Sequence, residues 1–224
     1  FNLKELYRGT ILREGYPRNS IFFDQEHGRL LKEVLGYQGC QLSVYMPTFR
    51  GHTDDVEGDT YVEQVRSYLE VIDKGMQDDQ ILLLKLHPLV QKGLDLDNYR
   101  HIRPFPSELD TYDVLNACDV LITDYSSVMY DFANTGRKVI LFAYDLEVYM
   151  GHRGMYEDIR SYPFPIAVTP EEVLSELQEP GGGADREFLD KYCTFDRQKA
   201  TRNICRHVLL GKYLCQEHKM PVTT

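Results

Sequence analysis

Thr123-Asp124-Tyr125-Ser126-Ser127 stands between the apolar run Val120-Leu121-Ile122 and a helical pattern that begins near Val128. A buried strand that breaks at polar residues and then enters a helix puts both serines at the helix start. The first backbone N–H groups there lack partners, the dipole is positive, and serine hydroxyls add donors without bulk, so the junction suits a phosphate. The plainer reading is that Asp124, Ser126 or Ser127 simply caps the helix. Asp131 follows Ser127 on the same helical face, about a turn on. It can accept hydrogen bonds from ribose hydroxyls or serve as an ordinary first-turn acid.

Two other strand ends carry reactive side chains. Leu82-Leu83-Leu84-Lys85-Leu86-His87-Pro88 closes an aliphatic run with a histidine that the following proline holds extended. Near neutral pH His87 can donate or accept a proton or carry charge beside a phosphate; a structural hydrogen bond is the alternative. Lys85 alternates with His87 and shares its face, either as a charge near a ligand or as an edge residue with its amine in water. In Val44-Tyr45-Met46-Pro47-Thr48-Phe49-Arg50 an apolar run gives way to Thr48 and Arg50. Further on, Arg153 stands between glycines in Gly151-His152-Arg153-Gly154, where it can grip two oxygens of an anion or lie on a surface turn. Gly15-Tyr16-Pro17-Arg18-Asn19-Ser20 reads as a turn, more architecture than chemistry.

These residues need a scaffold that brings strand ends together. Apolar runs predict strands at 41–48, 80–87, 101–105, 119–124, 138–143 and 165–169. Helical patterns fall near 60–75, 109–118, 126–136, 145–151, 170–179 and 185–214. Such alternation marks an α/β, Rossmann-like parallel sheet with helices on both faces. Ligands of these sheets bind beyond the carboxyl ends of the strands, where the polar residues above fall. Thr169 and Pro170 open a helix well, and Glu179-Pro180-Gly181-Gly182-Gly183 stops it and reads as a flexible joint. The predicted organisation is one domain over 1–180, with a helical extension over 181–224 packing on it.

Composition narrows the function. The 224 residues are 42% apolar and 27% charged, with no apolar run near the roughly 18 residues that cross a bilayer, which predicts a soluble domain. The abrupt start at Phe1 predicts a piece of a longer protein. Five cysteines without a Cys-x-x-Cys pair argue against a zinc site and a disulfide framework and fit a reducing cytosol. A net charge of −10 argues against a nucleic-acid partner. The Gly-x-Gly-x-x-Gly, Gly-Lys-Ser/Thr and Gly-x-Ser-x-Gly signatures are all missing, against a nicotinamide dehydrogenase, an ATPase and a serine hydrolase. The acidic run Asp54, Asp55, Glu57 and Asp59 has the wrong order for a calcium loop, so no metal and no cofactor are expected.

Five ordered motifs make the chain resemble the CDP-glycerol glycerophosphotransferase family, the bacterial teichoic-acid and capsule polymerases and primases. They are Gly15-Tyr16-Pro17-Arg18-Asn19, Met46-Pro47-Thr48-Phe49-Arg50, Lys85-Leu86-His87-Pro88, Thr123-Asp124-Tyr125-Ser126-Ser127 and Arg153-Gly154-Met155-Tyr156. The resemblance covers roughly 11–175 and implies the C-terminal, donor-binding lobe of a GT-B-like transferase. It implies transfer of a polyol phosphate, usually glycerol phosphate, from a CDP-activated donor to a hydroxyl of a polymer or lipid-linked acceptor. By position His87 acts at the pyrophosphate, Ser126 and Ser127 hold the phosphates, and Thr48, Arg50 and Arg153 line the same pocket.

The chain departs from the family pattern twice. The family's second essential histidine lies in a Trp-His-Gly-like segment of the N-terminal lobe; this chain has no Trp, so the general base is expected on that missing lobe. Phe195-Asp196-Arg197-Gln198-Lys199-Ala200 stands where an Asp-Gly pair is expected. A lipid-linked acceptor implies work at the inner face of the bacterial membrane, as a peripheral, cytoplasmic enzyme. The choice between glycerol and ribitol is unreadable, and a glycosyltransferase lobe for a nucleotide sugar is the alternative.

Overall fold

The computed structural model describes residues 11–48, 57–152 and 157–210. After a 3-10 turn, Pro17–Phe23, the order is α1 (Gln25–Val34), β1 (Gln41–Tyr45), α2 (Glu57–Gly75), β2 (Gln80–Leu84), α3 (Pro88–Gln91), β3 (Ile102–Pro104), α4 (Thr111–Ala117) and β4 (Val120–Thr123). Then follow α5 (Val128–Ala133), β5 (Lys138–Phe142), α6 (Leu146–His152), β6 (Ile166–Ala167), α7 (Pro170–Gln178), α8 (Arg186–Tyr192) and α9 (Ala200–Leu210).

The six strands form one parallel sheet in the order β3-β2-β1-β4-β5-β6. Both faces are apolar because both are covered. On one side Leu42, Val44, Leu83, Leu121 and Leu141 meet Val114 and Leu115 of α4, Met129 and Phe132 of α5, and Phe188 of α8. On the other, Leu82, Leu84, Ile122, Ile140 and Phe142 meet Val65, Leu69 and Ile72 of α2 and Val173 and Leu177 of α7. Helix starts follow local chemistry. Asp24, Asp110 and Asp185 each accept a first-turn N–H, and Thr169 with Glu172 completes a capping box on α7.

All six expected strands are present, but their carboxyl ends come early: β1 stops at Tyr45 and β2 at Leu84. Just past those points single backbone bonds still join neighbouring strands, from the Met46 N–H to the Ile122 carbonyl at 2.9 Å and from the Lys85 N–H to the Tyr45 carbonyl at 3.0 Å. The helix expected over 126–136 is shorter, and Gly136, at φ 68°, ends the turn that follows it. The helical region near 185–214 is two helices, α8 and α9, parted at a turn where Asp196 reaches across to the backbone N–H of Tyr16 at 2.9 Å. Helix α1 was not among the expected elements, although it is amphipathic and Asp24 caps its start. Its Gly28 lies against α4 so closely that an added Cβ would come 2.2 Å from the Asn116 carbonyl oxygen.

The glycine triplet is not a loose joint. The Gly182 carbonyl accepts from the Val139 N–H at 2.9 Å, and Gly183 packs on the Gly136 carbonyl with no room for a Cβ. These glycines let the chain press against the start of β5.

Candidate functional site

The sheet order turns outward in both directions from β1 and β4, which makes their shared carboxyl edge the switch point of the fold. Chain leaving β2, β1 and β4, three adjacent strands, delivers His87, Thr48 and the Asp124-to-Ser127 junction to that one rim. Helix α4 precedes β4 and α5 follows it, so the first turns of both lie at the same end of the sheet.

Asp124 is 1% exposed. Its carboxylate accepts from the Thr48 backbone N–H at 2.9 Å, the Thr48 hydroxyl at 2.8 Å and the Tyr125 N–H at 2.6 Å. The hydroxyl of Thr123 adds a bond to the Met46 carbonyl at 2.7 Å. Asp124 thus ties the exits of β1 and β4 together, and donors of the chain itself satisfy its charge, as burial demands. Ser126 is half-buried and Ser127 exposed. Ser127 precedes α5 with helical dihedrals and makes no side-chain capping bond, so the simple capping role does not describe it.

His87 is exposed, and its carbonyl accepts from the Val90 and Gln91 N–H groups at 2.9 and 3.1 Å to open α3. Lys85 is half-buried, with its ammonium 4.2 Å from the centre of the Phe105 ring. Burial lowers its pKa, and the charge of Asp110 offsets part of that. Leu86, between Lys85 and His87, is buried in the opposite layer. Arg50 and Arg153 lie outside the described residues.

Asp131 sits in the first turn of α5, 5% exposed. Arg18 Nη2 and the Tyr112 hydroxyl donate to its Oδ2 at 3.0 and 2.7 Å, and Asn19 Nδ2 donates to its Oδ1 at 2.8 Å. The carboxylate expected at a ribose therefore has both oxygens engaged by the chain. Asn19 Nδ2 also donates to Asp196 Oδ2 at 2.8 Å, and Asn134 Nδ2 to the same oxygen at 2.9 Å. Burial first, then the bond to Asp131, raises the Tyr112 pKa. Sequence reasoning gave Arg18 and Asn19 to an architectural turn and a family motif, named Asp196 only as a departure from the family pattern, and passed over Tyr112. The available signal was an arginine and an asparagine in a proline turn, but Arg18 and Asp131 stand 113 positions apart. Among the described residues no group of three or more His, Cys, Asp or Glu side chains is placed to hold a metal.

The family model for CDP-glycerol:poly(glycerophosphate) glycerophosphotransferase matches residues 2–210. The chain belongs to this family. It is 27% identical over 214 residues to a teichoic acid poly(glycerol phosphate) polymerase of Bacillus spizizenii, which covers 91% of this chain and 54% of the relative. To the corresponding polymerase of Staphylococcus epidermidis it is 32% identical over 210 residues, 87% of this chain and 29% of the relative. A structure of the wall teichoic acid polymerase TagF, a histidine-to-asparagine variant with CDPG, superposes with a TM-score of 0.72 at 29% identity. That match covers 90% of this chain and 52% of TagF. The chain spans about half the length of the first relative and of TagF, and less of the second. The Rossmann-like sheet found here is the fold of the matched part of TagF.

Proposed function

We propose that this chain is the donor-binding lobe of a transferase that passes glycerol phosphate from CDP-glycerol to a hydroxyl of a cell-wall polymer. The observation that carries this reading is the convergence of His87, Thr48 and Ser126-Ser127 on the rim of three adjacent strands at the switch point. The family match supports a polyol-phosphate substrate class, and the likeness to TagF with CDPG supports a CDP-linked donor.

In this reading the acceptor oxygen attacks the phosphorus that bears glycerol. A new P–O bond forms as the P–O bond to the bridging oxygen breaks, and CMP leaves with that bond's electron pair. The acceptor proton passes to a base on a part of the protein outside this chain. Charge gathers on the pyrophosphate oxygens, where a protonated His87 faces the leaving group. Thr48, Lys85, Ser126, Ser127 and the nearby backbone N–H groups bind the phosphates, with Arg50 and Arg153 completing the pocket. Each such contact supplies a few kcal/mol at most. Asp124 acts by fixing the rim, and Asp131 acts through the groups that it holds.

Relatives named for glycerol phosphate and for ribitol phosphate both match this chain, so the choice of glycerol rests on the family model, which is named for CDP-glycerol. Among the described residues no helix is long and apolar enough to cross a membrane. We place the enzyme peripherally at the inner membrane face, where it meets a polymer or lipid-linked acceptor with its N-terminal lobe in place.

Calorimetric titration of the full-length protein with CDP-glycerol, CDP-ribitol and a UDP-sugar tests the reading. Binding of CDP-glycerol, with turnover abolished in His87→Ala, supports it. A preference for the UDP-sugar, or no binding of any CDP compound, overturns it.

A further inference from the structure

The Pro17–Phe23 turn carries Arg18 to the cleft between the first turns of α4 and α5, the two helix starts that share the rim with the proposed site. Tyr112 belongs to that first turn of α4, and Asp131 to the first turn of α5. The Arg18 guanidinium is held on three sides. Its central carbon lies 4.9 Å from the centre of the Tyr16 ring and 5.3 Å from that of Tyr112, and Nη2 donates to Asp131 at 3.0 Å.

A structural arginine–carboxylate pair is commonly bidentate, with two parallel N–H bonds. This pair has one. The other Asp131 oxygen is taken by Asn19, and the oxygen facing Arg18 is shared with the Tyr112 hydroxyl. A guanidinium has five N–H donors. Asp131 is the one hydrogen-bond partner of Arg18 among the described residues, and the side chain remains 49% exposed. Half of the fork is therefore tethered while the rest faces solvent, flat and already ordered. Because the rings and the carboxylate have fixed the side chain beforehand, a ligand would meet little of the usual ordering cost. A planar fork with free N–H pairs matches phosphate oxygens. On the same side of the sheet, Lys85 adds a second cation over Phe105.

We propose that Arg18 is a phosphate-binding residue at this rim, held in place by Asp131, Tyr16 and Tyr112. The phosphate oxygens belong either to the diphosphate of the donor or to phosphodiesters of the growing polymer, an assignment that rests on the function proposed above.

Isothermal titration of the full-length protein with CDP-glycerol and with a short glycerol-phosphate oligomer tests this. Arg18→Gln alone leaves Asp131 buried without its cation and can unfold the lobe. The informative variant is therefore Arg18→Gln combined with Asp131→Asn, which removes both charges together. The expected result is a melting temperature close to wild type and affinity about ten- to a hundredfold weaker for one of the two ligands, and that ligand identifies the source of the phosphate. Arg18→Lys, which keeps charge without the fork, should recover part of the loss. Wild-type affinity for both ligands in the double variant would overturn the role of Arg18 while leaving the donor-lobe reading intact. A wild-type protein that binds neither ligand would sink both.

Discussion

Thr48 donates twice to Asp124, through its backbone N–H and through its hydroxyl, across 76 positions of sequence. This contact sets the spacing of the β1 and β4 exits, and with it the mouth of the rim. Asp124→Ala removes a buried acceptor and strands the N–H groups of Thr48 and Tyr125, so it should cost about 3 kcal/mol. Thr48→Val loses only the hydroxyl bond and should cost about 1 kcal/mol. Urea unfolding of the two variants checks the order; equal losses would mean that the backbone bonds contribute little.

Gly28→Ala reverses the usual helix rule. Alanine in an open helix interior gains up to about 1 kcal/mol over glycine. Here the new methyl would lie 2.2 Å from the Asn116 carbonyl oxygen, backbone that cannot swing aside. A net loss of about 2 kcal/mol is expected, because α1 and α4 must separate. A rise in melting temperature would contradict the close approach of the two helices.

Tyr112→Phe separates a hydrogen bond from a titration. The hydroxyl donates to Asp131 at 2.7 Å, and its removal should cost about 1 kcal/mol at neutral pH. The folded-state pKa of Tyr112 is raised above its ordinary 10.0. The unfolded chain therefore loses this proton first, so the stability that depends on it is full below that value and falls as the pH climbs past it. The wild type should lose stability above pH 10.0 more steeply than Tyr112→Phe, a difference measurable by denaturant titration across that range.

Ser127→Ala should leave stability untouched, since the residue is exposed and makes no side-chain capping bond. If its hydroxyl meets the donor phosphates, the variant of the full-length protein should show a CDP-glycerol KM about fivefold higher, the equivalent of one ordinary hydrogen bond. An unchanged KM with a lowered melting temperature would make Ser127 a structural cap after all.

The strands and the rim were legible in the sequence, and the partners of the site's carboxylates were not. A parallel strand covered on both faces leaves a continuous apolar run, so Leu82-Leu83-Leu84 and Val120-Leu121-Ile122 announced themselves, and the polar residues after them marked the rim. Helix α1 is amphipathic and capped by Asp24, but it offers only Leu30, Leu31 and Val34 as apolar residues, and its closest contact is a glycine meeting the backbone of α4, so its apolar content did not mark it. Gly181-Gly182-Gly183 looked like a joint because glycine composition alone does not distinguish a free backbone from one pressed against a strand.

Asp131 shows the same division. Helical spacing correctly placed it one turn beyond Ser127, a property of neighbours along the chain. That its oxygens meet Arg18, Asn19 and Tyr112, and that Asn19 also reaches Asp196 at a separation of 177 positions, was decided only when the Pro17–Phe23 turn packed against α4 and α5. Local periodicity is written residue by residue into the chain. The pairing of a buried charge is settled by whichever distant donors the core brings within about 3 Å, because a carboxylate left without them could not stay buried.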